Sequence, residues 1–289
     1  VIAVVVLTFD APDGMLEACL DSVMQHSGSS ARLVVVDNGG RTAAMDQRLF
    51  DGVEVIRSHR NGGFAGGMNL GIRWALAEGA EAVALLNDDV EVEPGWIEPL
   101  VEELRRDSGL GAVQPKLLLA DADPPVINSL GVSIGRDGAG TDIGYGLADS
   151  ELVEAHDIDA CTGGAVLVRS SFLAEVGLFD ERYFLYYEDV DLALRGAERG
   201  WRYRVVPASC VRHRGGVSTG RHADRVAFLR ERNRLWVLFR HRPFGDIARG
   251  VWLSVRRLRW HPRRVHARAL VAGLWAAPRL VRARCSRHE

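Results

Sequence analysis

Along the first part of the chain, short apolar runs that end in polar or glycine-rich sequence alternate with segments of helical period. The runs near 1–8, 32–37, 53–57 and 82–87 are rich in Val, Ile, Leu and Ala and predict buried strands. Between them, 12–26, 42–50 and 64–79 predict helices. In the first of these, Pro12 or Asp13 opens the helix, and Met15, Cys19, Leu20 and Val23 form its apolar face. Repeated strand–helix–strand units predict a parallel sheet with ligands at the carboxyl ends of the strands. The segments ending at Asp10, Asp37, Asn61 and Asp88 should then gather on one rim.

Farther along the pattern loosens. After Pro94 a helix near 95–107 and a strand at 111–115 are predicted, but 120–158 is rich in Gly, Asp and Pro and reads as an extended, partly mobile excursion beside a site. Order returns at Cys161–Val168, followed by a helix over 188–200, strands near 201–212 and Arg-rich helices over 222–284. Ala248, Val251, Trp252, Val255 and Leu258 form one apolar stripe among arginines; Leu270, Leu274, Ala277 and Val281 form another, with a kink expected at Pro278.

Composition sharpens this picture in two ways. At 289 residues and 47% apolar, the chain can fill one large domain or one domain with an appendage. Charge is divided by sign: residues 1–220 hold 18 basic and 34 acidic side chains, whereas 221–289 hold 18 Arg against Asp224, Glu231, Asp246 and Glu289. A basic end of this kind is expected to meet something anionic, a membrane surface or a nucleic acid. Cys19, Cys161, Cys210 and Cys285 show no C-x-x-C pair, which argues against a zinc site or disulfide framework and fits a reducing compartment. The opening Val1–Leu7 reads as a first strand and not a signal peptide, and no segment reads as transmembrane.

Several short motifs carry candidate chemistry. Asn61-Gly62-Gly63-Phe64-Ala65-Gly66-Gly67-Met68-Asn69 opens a helix, where backbone N–H groups can cradle an anion; its spacing is not that of a dinucleotide fingerprint, and it also serves as ordinary turn material. Asp37-Asn38-Gly39-Gly40 puts a carboxylate at a strand end, for a pyrimidine or sugar hydroxyl or for an Asx turn. Asn87-Asp88-Asp89 is more demanding, because adjacent charges after a buried strand repel unless solvated or bound to Mg²⁺ or Mn²⁺. Glu188-Asp189-Val190-Asp191 begins a helix and suits either catalysis or the helix dipole. His213, alone, is a metal ligand or a packed histidine.

Taken in order with Thr8-Phe9-Asp10, Gly163-Gly164-Ala165, Gly177-Leu178-Phe179-Asp180-Glu181 and Val206-Pro207, these motifs closely resemble bacterial family 2 glycosyltransferases, and among them rhamnosyltransferases of cell-wall and surface-polysaccharide assembly. The resemblance covers roughly 1–240. It implies an α/β GT-A fold with a mostly parallel central sheet and a catalytic domain over 1–220 (nucleotide-sugar half about 1–115, acceptor and catalytic half 116–220); the C-terminal basic helices, an Arg-rich extension over 221–289 read from the sequence pattern, fall beyond the strongest resemblance. It implies inversion at the anomeric carbon of a nucleotide-diphosphate sugar, dTDP-L-rhamnose first and a UDP-sugar second. By position, Thr8, Asp10, Asp37, Asn61, Gly62, Gly66, Asn69, Asn87 and Asp88 would bind the nucleotide sugar, Asp89 and His213 would hold Mg²⁺ or Mn²⁺, and Asp189 would be the general base. Gly163, Gly164 and Glu188 would border the acceptor, a polyprenyl-diphosphate-linked or other glycan.

The basic helices over 246–289 are expected to lie on an anionic membrane, which would put the protein in the cytoplasm, peripheral on the inner face of the plasma membrane. The alternative is that their stripes pack on the catalytic domain or on a second subunit. Two other functions compete: a nucleotide-sugar phosphohydrolase using the same acids, and a basic membrane- or nucleic-acid-binding protein. Nucleic acid is disfavoured, since the arginines match no recognised motif and the main domain is acidic.

Overall fold

The computed structural model describes residues 1–28, 31–40, 52–149, 154–215, 223–259 and 262–285. The helix expected over 42–50 lies outside them. The first half runs β1 (Ile2–Thr8), α1 (Met15–His26), β2 (Ala31–Asp37), β3 (Glu54–Arg57), α2 (Gly63–Ala77), β4 (Ala82–Asn87), β5 (Val90–Val92), α3 (Ile97–Arg106) and β6 (Leu110–Leu119). The irregular stretch beyond β6 contributes the short strands β7 (Ile127–Ser129), β8 (Val132–Ile134), β9 (Gly140–Asp142) and β10 (His156–Ile158). Then come β11 (Ala165–Arg169), α4 (Ser170–Val176), α5 (Glu188–Ala197), β12 (Arg202–His213), α6 (Ala223–His241), α7 (Phe244–Arg257) and α8 (Arg263–Cys285).

The main sheet has the order β10-β12-β6-β11-β4-β1-β2-β3, with β5 added to β12 and β7 to β6. Strands β3, β2, β1 and β4 are mutually parallel, as are β6 and β12, while β11 runs antiparallel between β4 and β6. Layers of helices cover both faces, which explains why the strand runs are continuously apolar rather than alternating. Along β1, Ala3, Val5 and Leu7 enter the core shared with α2, whereas Val4 and Val6 enter the core shared with α1 and α3.

The C-terminal helices continue this core. Leu235, Val237 and Leu238 of α6 are fully buried and belong to the same cluster as Phe64, Val132 and Tyr183. Of the stripe expected on α8, Leu270 is buried and Ala277 and Val281 pack half-buried against the core, whereas Leu274 faces outward, so the docked face overlaps the stripe and extends beyond it. Val265, Ala269, Gly273, Ala276 and Leu280 are buried as well. Small residues set this geometry: a Cβ on Gly273 would stand 2.7 Å from Leu235, so the two helices approach more closely than a stripe of large side chains permits. In α7 the buried positions are Asp246, Gly250 and Ser254, and Trp252 and Val255 of the expected stripe face outward. The polar face is inward because α6 supplies its partners: Ser254 and Arg257 meet the buried Glu231, which also pairs with Arg234. Burial alone would raise the Glu231 pKa, but these partners hold it down at about 2.

Candidate active site

Register brings the rim together. Thr8 lies opposite Asp37 across β1 and β2, and Leu7 opposite Asn87 across β1 and β4, so three strand ends finish at one level. Asp37 is buried and accepts the Gly40 N–H at 2.6 Å, three residues on rather than the two of the Asx turn anticipated for that segment. Asp10 adopts a φ of 48°, which turns the chain sharply after β1. Thr8 donates its hydroxyl to Asp88, whose pKa is pushed up to about 6 by burial, with the neighbouring Asp89 charge adding to the effect.

The turn between β4 and β5 presents Asp89 to the end of β12. His213 pairs in register with Val90, and the Asp89 carbonyl accepts the Arg214 N–H at 2.9 Å. His213 Nε2 stands 3.2 Å from Asp89 Oδ1, and His213 Nδ1 stands 2.8 Å from Asn128 Oδ1. An amide oxygen only accepts, so a ring proton belongs on Nδ1, and in the neutral tautomer Nε2 turns a lone pair toward the carboxylate. Asp89 Oδ1 is buried and receives no hydrogen bond. Two acceptor atoms facing each other at 3.2 Å fit adjacent ligands of one small divalent cation, whose octahedral sites lie about 3 Å apart. Among the described residues no third His, Cys, Asp or Glu joins them.

The Gly163-Gly164 turn before β11 links this pair to the acids of α5. The Gly163 N–H donates to the Asp189 carboxylate, Gly164 packs 3.4 Å from the His213 ring by the position its Cβ would take, and the Gly164 carbonyl accepts the Asn87 N–H. Burial and the Asp142 charge raise the Asp189 pKa to about 6, against the lowering effect of the Val190 and Gly163 N–H groups. Glu188 is raised well above the carboxylate range, first by burial and then by Asp189, and its Oε2 has no hydrogen-bond partner. A carboxylate with a raised pKa thus shares one turn with a candidate metal pair.

The glycine-rich segment behaves otherwise than expected of an anion cradle. The Gly62 N–H is held by Asn38 at 2.9 Å, the Gly63 N–H by Asn61 at 2.7 Å and the Ala65 N–H by the Phe184 carbonyl at 3.3 Å. Protein groups therefore satisfy donors that the sequence pattern offers to a diphosphate. Gly63 is required by close approach: it has a φ of 72°, and a Cβ there would lie 2.1 Å from the Phe184 oxygen. Gly66 sits beside Glu181. Asn69, expected to line the nucleotide, is buried and spends its amide on Phe179 and Glu181, tying α2 to the segment before α5.

Three residues near the site were not among those expected. Asn38 was visible inside the Asp37-Asn38-Gly39 motif, but Asn128 and Asp142 fall in the irregular stretch 120–158, where no motif marks them. Only the pairing of β7 with β6 and of β9 with β8 brings them in.

The sheet order, helices on both faces and acids at the carboxyl rim define a GT-A fold. Two solved structures share it: GalNAc-T7 with UDP, GalNAc and Mn²⁺, at a TM-score of 0.68 and 15% identity over 99% of this chain and 57% of that one; and a mannosyltransferase from Pyrobaculum calidifontis in complex with GDP-Man and Mn²⁺, at 0.57 and 16% over 99% and 74%. This chain thus spans little more than half the length of the GalNAc-T7 chain. The model of glycosyl transferase family 2 matches residues 3–116. An N-acetylglucosaminyl-diphospho-decaprenol L-rhamnosyltransferase of Mycobacterium tuberculosis is 30% identical over 268 residues, 82% of this chain and 86% of that protein. The chain belongs to glycosyltransferase family 2 and is a hexosyl-transferring enzyme.

Proposed function

We propose that this enzyme transfers L-rhamnose from dTDP-L-rhamnose, with inversion, to a hydroxyl of a polyprenyl-diphosphate-linked glycan in cell-wall or surface-polysaccharide synthesis. The observation that carries this reading is the meeting of Asp189 with the Asp89–His213 pair at Gly163-Gly164. Sugar and acceptor follow those for which the mycobacterial relative is named. Asp189 removes the proton from the acceptor hydroxyl as its oxygen bonds to the anomeric carbon, while the bond from that carbon to the diphosphate oxygen breaks and the nucleoside diphosphate departs. Asp89 and His213 would hold Mg²⁺ or Mn²⁺; both solved neighbours hold Mn²⁺. When bound, such an ion stabilises the negative charge of the leaving diphosphate. Thr8, Asp10, Asp37, Asn87 and Asp88 line the donor side, and Gly163, Gly164 and Glu188 the acceptor side.

The reading extends to the membrane at which a lipid-linked acceptor resides. Phe244, Trp252 and Val255 of α7 and Val271, Leu274 and Trp275 of α8 are exposed, Trp275 at 86%. Arg256 stacks over Trp252, and Arg249, Arg259, Arg263, Arg264 and Arg268 are exposed on the same pair of helices and their connection. No described helix is long and apolar enough to cross a membrane; the proposed contact is interfacial, through these exposed indoles and arginines, on the cytoplasmic leaflet. The test is nucleotide release from dTDP-rhamnose, UDP-sugars and GDP-sugars, with and without a polyprenyl-diphosphate-linked acceptor and with Mn²⁺, Mg²⁺ or chelator. Release that requires acceptor and metal supports transfer; equal release without acceptor means a phosphohydrolase.

A further inference from the structure

The segment that delivers Asp189 is an unusual piece of backbone. Phe184, Tyr186 and Tyr187, none of them glycine, have φ of 69°, 68° and 70°. L-residues avoid that region, so such a loop persists only where its surroundings over-determine it. Tyr187 is the residue immediately before α5, and Asp189 is the second residue of that helix. Any relaxation of the loop moves the carboxylate.

The determining contacts come mainly from α6. Asn233 is fully buried, and its Nδ2 lies 3.0 Å from the Tyr183 carbonyl, 3.0 Å from that of Leu185 and 2.7 Å from that of Tyr186. Its orientation is fixed chemically: carbonyls only accept, and Asn233 Oδ1 in turn accepts from Arg232 Nε at 2.8 Å. Two N–H bonds serve three carbonyls, so one is shared. Arg232 adds a second donor to the Tyr183 carbonyl at 2.9 Å, and the remaining carbonyl, of Phe184, accepts the Ala65 N–H of α2. All four loop carbonyls from Tyr183 to Tyr186 are therefore held from outside, three of them by one amide.

We propose that Asn233 is a positioning residue for the transfer reaction: it clamps the left-handed loop 183–187 and thereby sets the Asp189 carboxylate against the acceptor hydroxyl. This makes α6, in the basic C-terminal region, part of the catalytic apparatus. The inference rests on Asp189 being the base. A displaced carboxylate impairs proton removal while the donor side, built on β1, β2 and β4, stays intact.

The experiment compares Asn233→Ala, Asn233→Ser and Asp189→Asn with Leu235→Ala, a packing control two residues along the same helix. Leu235 is fully buried against α8 and touches none of the loop carbonyls in the hydrogen-bond pattern. Asn233→Ala should lower kcat by about tenfold or more, with donor KM and nucleotide affinity within about twofold. Asn233→Ser, which retains one donor, should fall between it and the parent, and supplies the comparison if the alanine variant does not fold. Leu235→Ala should lower Tm while keeping kcat within about twofold. The proposal is overturned if Asn233→Ala keeps parental kcat while Asp189→Asn is inactive, or if the kcat losses simply follow Tm across all the variants including Leu235→Ala. Parental turnover by Asp189→Asn instead removes the base assignment itself, a separate failure.

Discussion

His213 Nε2 and Asp89 Oδ1 face each other at 3.2 Å, with Asn128 on the far side of the imidazole at 2.8 Å. In the neutral ring Asn128 holds the proton on Nδ1, so Nε2 would be free to serve as the proposed metal ligand. Asn128→Leu removes that acceptor and is expected to weaken Mn²⁺-dependent nucleotide binding about 10- to 100-fold. Asp89→Ala should weaken it at least as much, and nucleotide binding in chelator should change little in either variant. Titration calorimetry with Mn²⁺ and nucleotide measures both; unchanged Mn²⁺ dependence in both variants would remove the metal assignment.

Asp189 must be ionised to accept a proton, and its pKa is raised to about 6 by burial and by Asp142. Transfer should therefore fall as pH drops through about 6 and level off above it. Asp142→Asn removes a like charge and should shift this acid limb to lower pH. Asp189→Asn should lower kcat about 10²- to 10⁴-fold while leaving nucleotide binding intact. A pH profile of kcat/KM for the free enzyme reads the limb directly; a limb unmoved by Asp142→Asn would contradict the charge coupling.

Glu188 illustrates what the acid cluster costs in stability. It is 4% exposed, its Oε2 has no partner, and its native pKa is raised well above the ordinary value of 4.5. The folded protein therefore binds this proton more tightly than the unfolded chain does. The resulting stabilisation is complete below about 4.5 and is lost as pH rises toward the native pKa, at about 1.4 kcal/mol for each pH unit crossed between the two values. Glu188→Gln abolishes that loss. Its Tm relative to the parent should climb between pH 4 and pH 8, and a difference independent of pH would refute the burial argument.

Asp191 behaves oppositely, two residues beyond Asp189 on the same helix. It is fully buried, yet His241 at 2.9 Å, Arg195 at 2.9 Å and Arg240 at 2.8 Å overcome the effect of burial and hold its pKa below the usual range. Its contribution is present above the ordinary pKa of 3.8 and is lost as pH falls toward the native value. Asp191→Ala strands buried guanidinium groups and should destabilise by about 3–5 kcal/mol. Denaturant unfolding at pH 7 reads this value, and the gap between variant and parent should narrow in acid.

These two carboxylates show where the sequence was legible and where it was not. The parallel half was readable because β1, β2 and β4 are continuous apolar runs covered on both faces, each ending in the polar residue that reaches the rim. The antiparallel insertion of β11, and the pairing of β7 and β9 that brings in Asn128 and Asp142, depend on long-range register that no local pattern carries. Asp189 and Asp191 look alike in sequence as first-turn acids. Only tertiary surroundings raise the pKa of one, as the proposed base requires, and make the other a buried structural ion. The glycines after Asn61 suggested a phosphate cradle, but two asparagine side chains and a carbonyl occupy its donors. In α8, counting large apolar residues found Leu270, Ala277 and Val281, which pack against the core, but included the exposed Leu274 and missed the buried Ala269, Gly273 and Ala276.

The outward face of α7 and α8 yields the last prediction. Trp252 is 54% exposed with Arg256 stacked 4.7 Å from its ring centre, and Trp275 is 86% exposed. The inward side of α7 is already occupied, with Asp246 and Ser254 held by Arg136, Glu231 and Arg234 and with Ile247 and Val251 packed against the core, so Phe244, Trp252 and Val255 are left to solvent or to a bilayer. An anionic surface supplies both terms at once, apolar insertion of the indoles and about 1 kcal/mol for each arginine near the headgroups. The double variant Trp252→Ser/Trp275→Ser should weaken binding to phosphatidylglycerol vesicles by about tenfold or more while leaving nucleotide binding in solution unchanged. Parental binding should weaken as salt screens the arginines, and neutral vesicles should bind less well. If the double variant sediments with anionic vesicles as the parent does, these helices do not dock on the lipid through the exposed indoles.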